Sequence, residues 1–261
     1  PLPVVLFVHG LGLTHYSAYN AWITHLVRKG NVVIYPRYHI GGIVDPTTFT
    51  DSAATACAKA IAQCDGKRHA QIDTKQLTMI GHSLGGTIIA NFAAKPEHYN
   101  LPAPKGLMLL QPGDSKSDKG LGALFPSLTE DHGTIAKGTL MMIVDVEGDY
   151  YVSPKAGQRI YDNATEIDTK DKRRLLLASD TYSEPAIIAD HMLPMGWTTS
   201  QASQGRVNTY DFAIWRWFDA MQATAQGDKS QRKLVFGEAA MDLDRWSDGQ
   251  AVRRPVDLIS E

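Results

Sequence analysis

Gly81-His82-Ser83-Leu84-Gly85 places a serine between two glycines at G-x-S-x-G spacing. An apolar run, Leu77–Ile80, precedes it, and another, Thr87–Ala93, follows. Strand, sharp turn and helix form the setting in which such a serine sits at the tip of a strained turn, its hydroxyl at a helix N-terminus. Side chains at 81 and 85 would collide in that turn, so glycine is required at both. A serine hydroxyl is a weak nucleophile at neutral pH. It needs a base to take its proton and a third group to orient that base. The chemistry this pentapeptide points to is nucleophilic attack by an activated serine hydroxyl.

In open parallel sheets functional groups collect at the carboxyl ends of strands, so the partners of Ser83 belong in loops that follow strands. The base should follow the last strand. His191, in Ala189-Asp190-His191-Met192, is the only histidine beyond residue 132 and occupies that position. Asp190 is read as structural, since a sequence neighbour rarely orients the adjacent ring. The acid should follow an earlier strand. Asp149, in Val146-Glu147-Gly148-Asp149-Tyr150-Tyr151-Val152, is the first choice. Asp145, nearer the strand end, and Asp114, after the preceding strand, stay open as replacements.

A developing oxyanion needs preorganised N–H donors. Leu84 N–H, just after the nucleophile, is one candidate. Leu11 N–H, in the loop His9-Gly10-Leu11-Gly12 after the first strand, is the other. His9 is expected to brace that loop. Leu13, His15, Tyr16 and Tyr19 follow the loop, and Tyr150, Tyr151, Met192, Leu193, Met195 and Trp197 flank the acid and the base. From these, Leu13, His15, Tyr16, Tyr150, Tyr151, Met192 and Trp197 are taken as the substrate-binding set. Their apolar and aromatic character suits an uncharged ester, and an open site would also tolerate bulky ones.

The elements that must position these groups are legible in the hydrophobic pattern. Val4–Val8, Asn31–Tyr35, Leu77–Ile80, Gly106–Leu110, Thr139–Val144 and Arg174–Ala178 are short apolar runs that read as buried strands. Helical patterns separate most of them: Ala18–Lys29 stopped by Gly30, an Ala-rich helix capped by Thr50 or Asp51, a helix from the serine turn to about Ala94, Ser153–Asn163, and Val207–Ala223. The last carries Phe212, Trp215, Trp217 and Phe218, read as core packing. Strands alternating with helices predict an α/β fold, a mostly parallel sheet with helices on both faces.

The chain has 261 residues, 43% hydrophobic and 21% charged, with a formal charge of −2. That balance gives no electrostatic argument for nucleic acid or an anionic membrane. No apolar run approaches the roughly 18 residues of a membrane span. Cys57 and Cys64 are seven apart on a predicted helix, about 10 Å at ~1.5 Å per residue, too far for a disulfide. Two free, buried thiols are expected. The chain opens at Pro1, almost inside a strand, with no leader present to read, which leaves the compartment open.

The order His9-Gly10, the Gly81–Gly85 turn, Gly148-Asp149-x-x-Val152 and a late His191 resembles the α/β-hydrolase superfamily, over roughly residues 3–225. The resemblance implies a Ser83–His191–Asp149 triad, two-step acyl transfer and no metal or organic cofactor. The short oxyanion loop resembles the GX type of lipases and carboxylesterases. Two departures are expected: the antiparallel strands that usually open the fold have no room before Pro1, and residues 113–138 are too short for a large cap and leave room for a small lid or none. One domain over 1–261 is expected, with a tail at 230–261 wrapping over its surface. The implied activity is ester hydrolysis on a small-molecule substrate. Other acyl hydrolysis (thioester or amide), or a non-catalytic binding role on the same fold, are the alternatives; oligomeric state is not legible.

Overall fold

In a computed structural model, residues 1–39, 45–64, 66–115, 124–129, 131–184, 186–195 and 209–259 are described. The apolar runs form strands β1 (Leu2–Val8), β2 (Val32–Ile34), β3 (Ile72–His82), β4 (Gly106–Leu110), β5 (Leu140–Val146) and β6 (Lys172–Leu177). A two-residue strand, β7 (Val256–Asp257), was not foreseen. They make one sheet in the order β2-β1-β3-β4-β5-β6-β7. All pairs are parallel except β6–β7.

The strands read as unbroken apolar runs because both faces of the sheet are covered. In β1, Val4, Leu6 and Val8 pack on one side with residues of α2 (Phe49–Gln63), α3 (Leu84–Ala93) and α4 (Lys155–Asn163). Val5 and Phe7 pack on the other with residues of α1 (Asn20–Arg28) and α5 (Thr209–Ala225). Trp217 and Phe218 of α5 are fully buried in this second core, as packing predicted, whereas the side chain of Phe212 lies outside the described residues. Gly30 ends α1 in the left-handed region at φ 88°.

The chain steps from β1 outward to β2, then returns to the far side of β1 as β3. Val8 pairs with Gly81. The loop after β1 and the turn after β3 therefore emerge side by side at a topological switch point, where parallel sheets bind ligands.

Several boundaries differ from expectation. Strand β3 begins at Ile72, and β5 runs on to Val146, which puts Asp145 inside the ladder opposite Leu176. Strand β6 begins with three cations, Lys172, Arg173 and Arg174, all nearly buried. Each has partners: Lys172 donates to the carbonyls of Tyr161 and Ala164, Arg173 binds Asp257, and Arg174 binds Asp145. The tail is more than a surface wrap, since Val235, Ala240, Leu243 and Val252 are buried in the second core and β7 closes the sheet edge. Both cysteines are free, but only Cys57 is buried; Cys64 ends α2 and is half-buried. Burial pushes the Cys57 thiol up to about 12.

Candidate active site

Ser83 links β3 directly to α3, with φ 56° and ψ −122°. The left-handed φ is a sparsely populated conformation for a side-chain-bearing residue. The surroundings hold it there: Ser83 N–H donates to Leu110 O at 2.8 Å, and the Ser83 carbonyl accepts from Gly86 N–H at 2.9 Å. The need for the flanking glycines is measurable. A Cβ at Gly81 would meet the Gly85 carbonyl oxygen at 2.4 Å, and one at Gly85 would meet the Val8 carbonyl oxygen at 2.0 Å. Gly85 thus lets α3 lie directly on the backbone of β1.

His191 follows β6 and an irregular stretch tied back by the Asp180–Ile187 bridge. Its Nε2 lies 3.0 Å from Ser83 Oγ and its Nδ1 lies 2.7 Å from Asp149 Oδ2. The other carboxylate oxygen of Asp149 accepts from Tyr151 N–H at 2.9 Å and Val152 N–H at 3.0 Å. The loop after β5 therefore fixes the carboxylate by its own backbone, and Gly148 lets that loop pass the His191 loop, where a Cβ would stand 2.8 Å from Ala189 O. Ser83, His191 and Asp149 are brought into one hydrogen-bonded line, all nearly buried.

The two other carboxylates have different partners. Asp145 is held by Arg174, whose Nε and Nη2 lie 2.9 and 2.8 Å from one of its oxygens. Burial outweighs this guanidinium and pushes Asp145 up to about 6. Asp114 is fully buried against Arg159, 2.6 Å away. Asp190 accepts from Met192 N–H, a local turn.

A cavity of about 150 Å³ opens over Ser83 and His191. Leu11, Leu13, Tyr151 and Met192 line it, together with Phe125 and Met195. His15, Tyr16 and Tyr150, expected in the substrate set, do not. His15 accepts from Ser17 N–H and stacks on Tyr16, so both face solvent at the start of a turn. Tyr150 sits at the crest of the Asp149 turn, 95% exposed. Tyr19 and Leu193 are buried in the core instead. Trp197 lies outside the described residues. Phe125 carried no signal: it lies far in sequence from Ser83 and His191, and only the fold brings it to the cavity.

His9 braces its loop as expected. Its Nδ1 donates to the Gly10 carbonyl at 2.7 Å and its ring stacks on Tyr38 at 4.3 Å. Burial lowers it to about 4, so it is neutral. Sequence reasoning passed over His82. Its ring is buried beneath His191, with Nδ1 2.7 Å from Tyr19 Oη and Nε2 2.8 Å from the His191 carbonyl. Tyr19 Oη also accepts Gly10 N–H at 3.1 Å. These partners are 63 and 109 residues away from His82, beyond any local pattern.

No helix among the described residues is long and apolar enough to cross a membrane. Solved structures share the fold at low identity. The carboxylesterase Cest-2923 from Lactobacillus plantarum WCFS1 has TM-score 0.62 at 16% identity, covering 87% of this chain and 86% of that one. MGS-M1, an alpha/beta hydrolase enzyme from a Medee basin deep-sea metagenome library, has TM-score 0.59 at 17% identity, over 88% and 85%. Esterase B from Lactobacillus Rhamnosis (HN001) has TM-score 0.57 at 15% identity, over 88% and 79%. No curated protein matches the chain in sequence. The profile of the alpha/beta hydrolase family matches residues 5–259, nearly the whole length. With its parallel sheet, strained serine turn and late histidine, the chain belongs to the alpha/beta hydrolase family.

Proposed function

We propose that the protein is a serine hydrolase acting on uncharged carboxylic esters, with Ser83 as nucleophile, His191 as base and Asp149 as the acid that orients it. One observation carries the reading: the line Asp149 Oδ2–His191 Nδ1–His191 Nε2–Ser83 Oγ, with steps of 2.7 and 3.0 Å, ends in a cavity with apolar walls. A carboxylate only accepts, so Nδ1 carries the proton and Nε2 is free to take one from Ser83. His191 removes that proton as Oγ attacks the ester carbonyl, then returns it to the departing alcohol. Water repeats the sequence to release the acid.

The oxyanion is assigned to the N–H groups of Leu84 and Leu11. Leu84 is the first residue of α3, where N–H groups lack intrahelical acceptors. Gly10 N–H is committed to Tyr19, so the next donor along the loop is Leu11, at the cavity wall. No metal or organic cofactor enters this chemistry. We take 1–261 as one domain and 113–138 as a small lid; within it, Phe125 reaches the cavity.

A cavity of about 150 Å³ matches a benzene-sized guest of about six heavy atoms. We assign this cavity to the acyl group, so that a small acyl group fits it and bulk is carried on the alcohol side of the ester. With p-nitrophenyl esters, turnover is expected to peak near butyrate to hexanoate and fall at least about tenfold by laurate. The central test is Ser83→Ala, expected to lower kcat by at least about 10³-fold and to abolish fluorophosphonate labelling. Unchanged turnover in that variant would end the reading.

A further inference from the structure

His82 lies one residue before the nucleophile, yet its ring reaches neither Ser83 nor Asp149 by hydrogen bond. It joins two loops instead. We infer that His82 is a positioning residue that locks the His191 loop to the Gly10–Leu11 loop through a hydrogen-bond chain running by way of Tyr19. The inference rests on reading Ser83 and His191 as nucleophile and base.

The proton positions in this chain follow from elimination. The His191 carbonyl can only accept, so His82 Nε2 carries a proton and donates over 2.8 Å. The ring is buried, and desolvation holds its pKa well below the ordinary histidine value, so it is neutral. Nδ1 is therefore bare and accepts, and Tyr19 Oη–H is its donor over 2.7 Å. The Tyr19 oxygen in turn accepts Gly10 N–H over 3.1 Å. Within a neutral ring, only this one arrangement satisfies all three bonds. It reads Gly10 N–H to Tyr19, Tyr19 O–H to His82, His82 Nε2–H to the His191 carbonyl.

A second clamp acts one residue earlier. Gln111, at the end of β4, donates from Nε2 to the Asp190 carbonyl at 2.8 Å. Two successive carbonyls of the base loop are thus held by side chains from the tips of adjacent strands, β3 and β4. These clamps add to the Asp180–Ile187 and Gly148–Asp190 bridges that tie the irregular backbone after β6. Histidine suits position 82 because a neutral imidazole offers a donor and an acceptor on opposite edges of one flat, stiff group. Glutamine also carries one of each.

The test uses His82→Leu, His82→Gln and Tyr19→Phe, with kcat and KM on p-nitrophenyl butyrate and thermal unfolding of each variant. His82→Leu is expected to lower kcat by about 10- to 100-fold, the scale of a misplaced catalytic group, with KM changed by less than about threefold. His82→Gln should recover kcat to within about fivefold of wild type. Tyr19→Phe should fall between the two. A folded His82→Leu with kcat within about twofold of wild type overturns the role, as does a loss confined to KM or a His82→Gln no better than His82→Leu. Should His82→Leu fail to fold, ring ¹⁵N spectra of the wild type decide. Protonated Nε2 with bare Nδ1, persisting below the ordinary histidine titration range, supports the chain; the opposite tautomer or a ring that charges in that range refutes it. Wild type that hydrolyses no ester and escapes fluorophosphonate labelling would instead bring down the reading of Ser83, and this role with it.

Discussion

The two oxygens of Asp149 have separate tasks. One closes a turn by accepting two N–H groups, and the other faces His191. This division makes a near-isosteric change informative. In Asp149→Asn the amide oxygen keeps the turn's two donors satisfied, which directs the NH₂ at His191 Nδ1. An NH₂ donates, so Nδ1 must give up its proton and Nε2 must carry it. The base can then no longer accept from Ser83. The expected result is a fall in kcat of about 10³- to 10⁴-fold with the fold retained and KM little changed, measured by steady-state kinetics beside a thermal melt. At this scale the sequence was most legible where a residue's position follows from its place in chain order: Ser83 between glycines at the end of β3, His191 in the stretch after β6. It was least legible where the role depends on a distant partner. His82 and Tyr19 look like an ordinary pentapeptide filler and a helix-start aromatic until the fold brings them together.

Among the described glycines, Gly85 leaves the least room, where α3 meets β1. Gly85→Ala would drive a methyl to 2.0 Å from the Val8 carbonyl oxygen, backbone against backbone. Neither element can give without moving Ser83 or the Leu11 loop. We expect this variant to lose more than about 4 kcal/mol or fail to fold. Gly138→Ala is the control. Gly138 has φ 86° with open space around it, so only the backbone penalty of about 1 kcal/mol applies. Urea unfolding of the two variants separates steric from conformational cost. Element type was legible because covered faces produce unbroken apolar runs. Limits were not, wherever charge entered a strand. Asp145 and Arg174 read as loop and strand start, yet they bind one another across adjacent strands. The same blindness applies to Lys172 and Arg173, whose charges are compensated by carbonyls and by Asp257 from the far end of the chain.

For the whole molecule, buried histidines set the response to acid. His9 and His132 are both lowered to about 4 by burial, and His82 is lowered well below the ordinary value. In the unfolded chain they titrate near 6.5. Between these limits the unfolded state binds more protons, so stability is full above about pH 6.5 and is lost as pH falls toward 4. Each such histidine contributes a slope of up to about 1.4 kcal/mol per pH unit. Asp145, raised to about 6, works the opposite way: its contribution grows as pH falls from about 6 to 3.8 and offsets one histidine. Urea midpoints measured from pH 7 to 4.5 should therefore decline, and His132→Gln should flatten the decline by one histidine's share. Stability that holds level or rises through that window would contradict the burial of neutral rings.

The sheet ends in a three-residue strand, β2, on one side and a two-residue strand, β7, on the other. Pro36 follows β2 almost at once and has no N–H to offer. Among the described residues, neither border presents the long row of free donors and acceptors that lets one folded copy zip onto another. Edge-to-edge pairing of copies through these two borders is therefore disfavoured. Self-association then falls to other surfaces, such as those that carry the exposed Tyr16, Tyr150 and Tyr182.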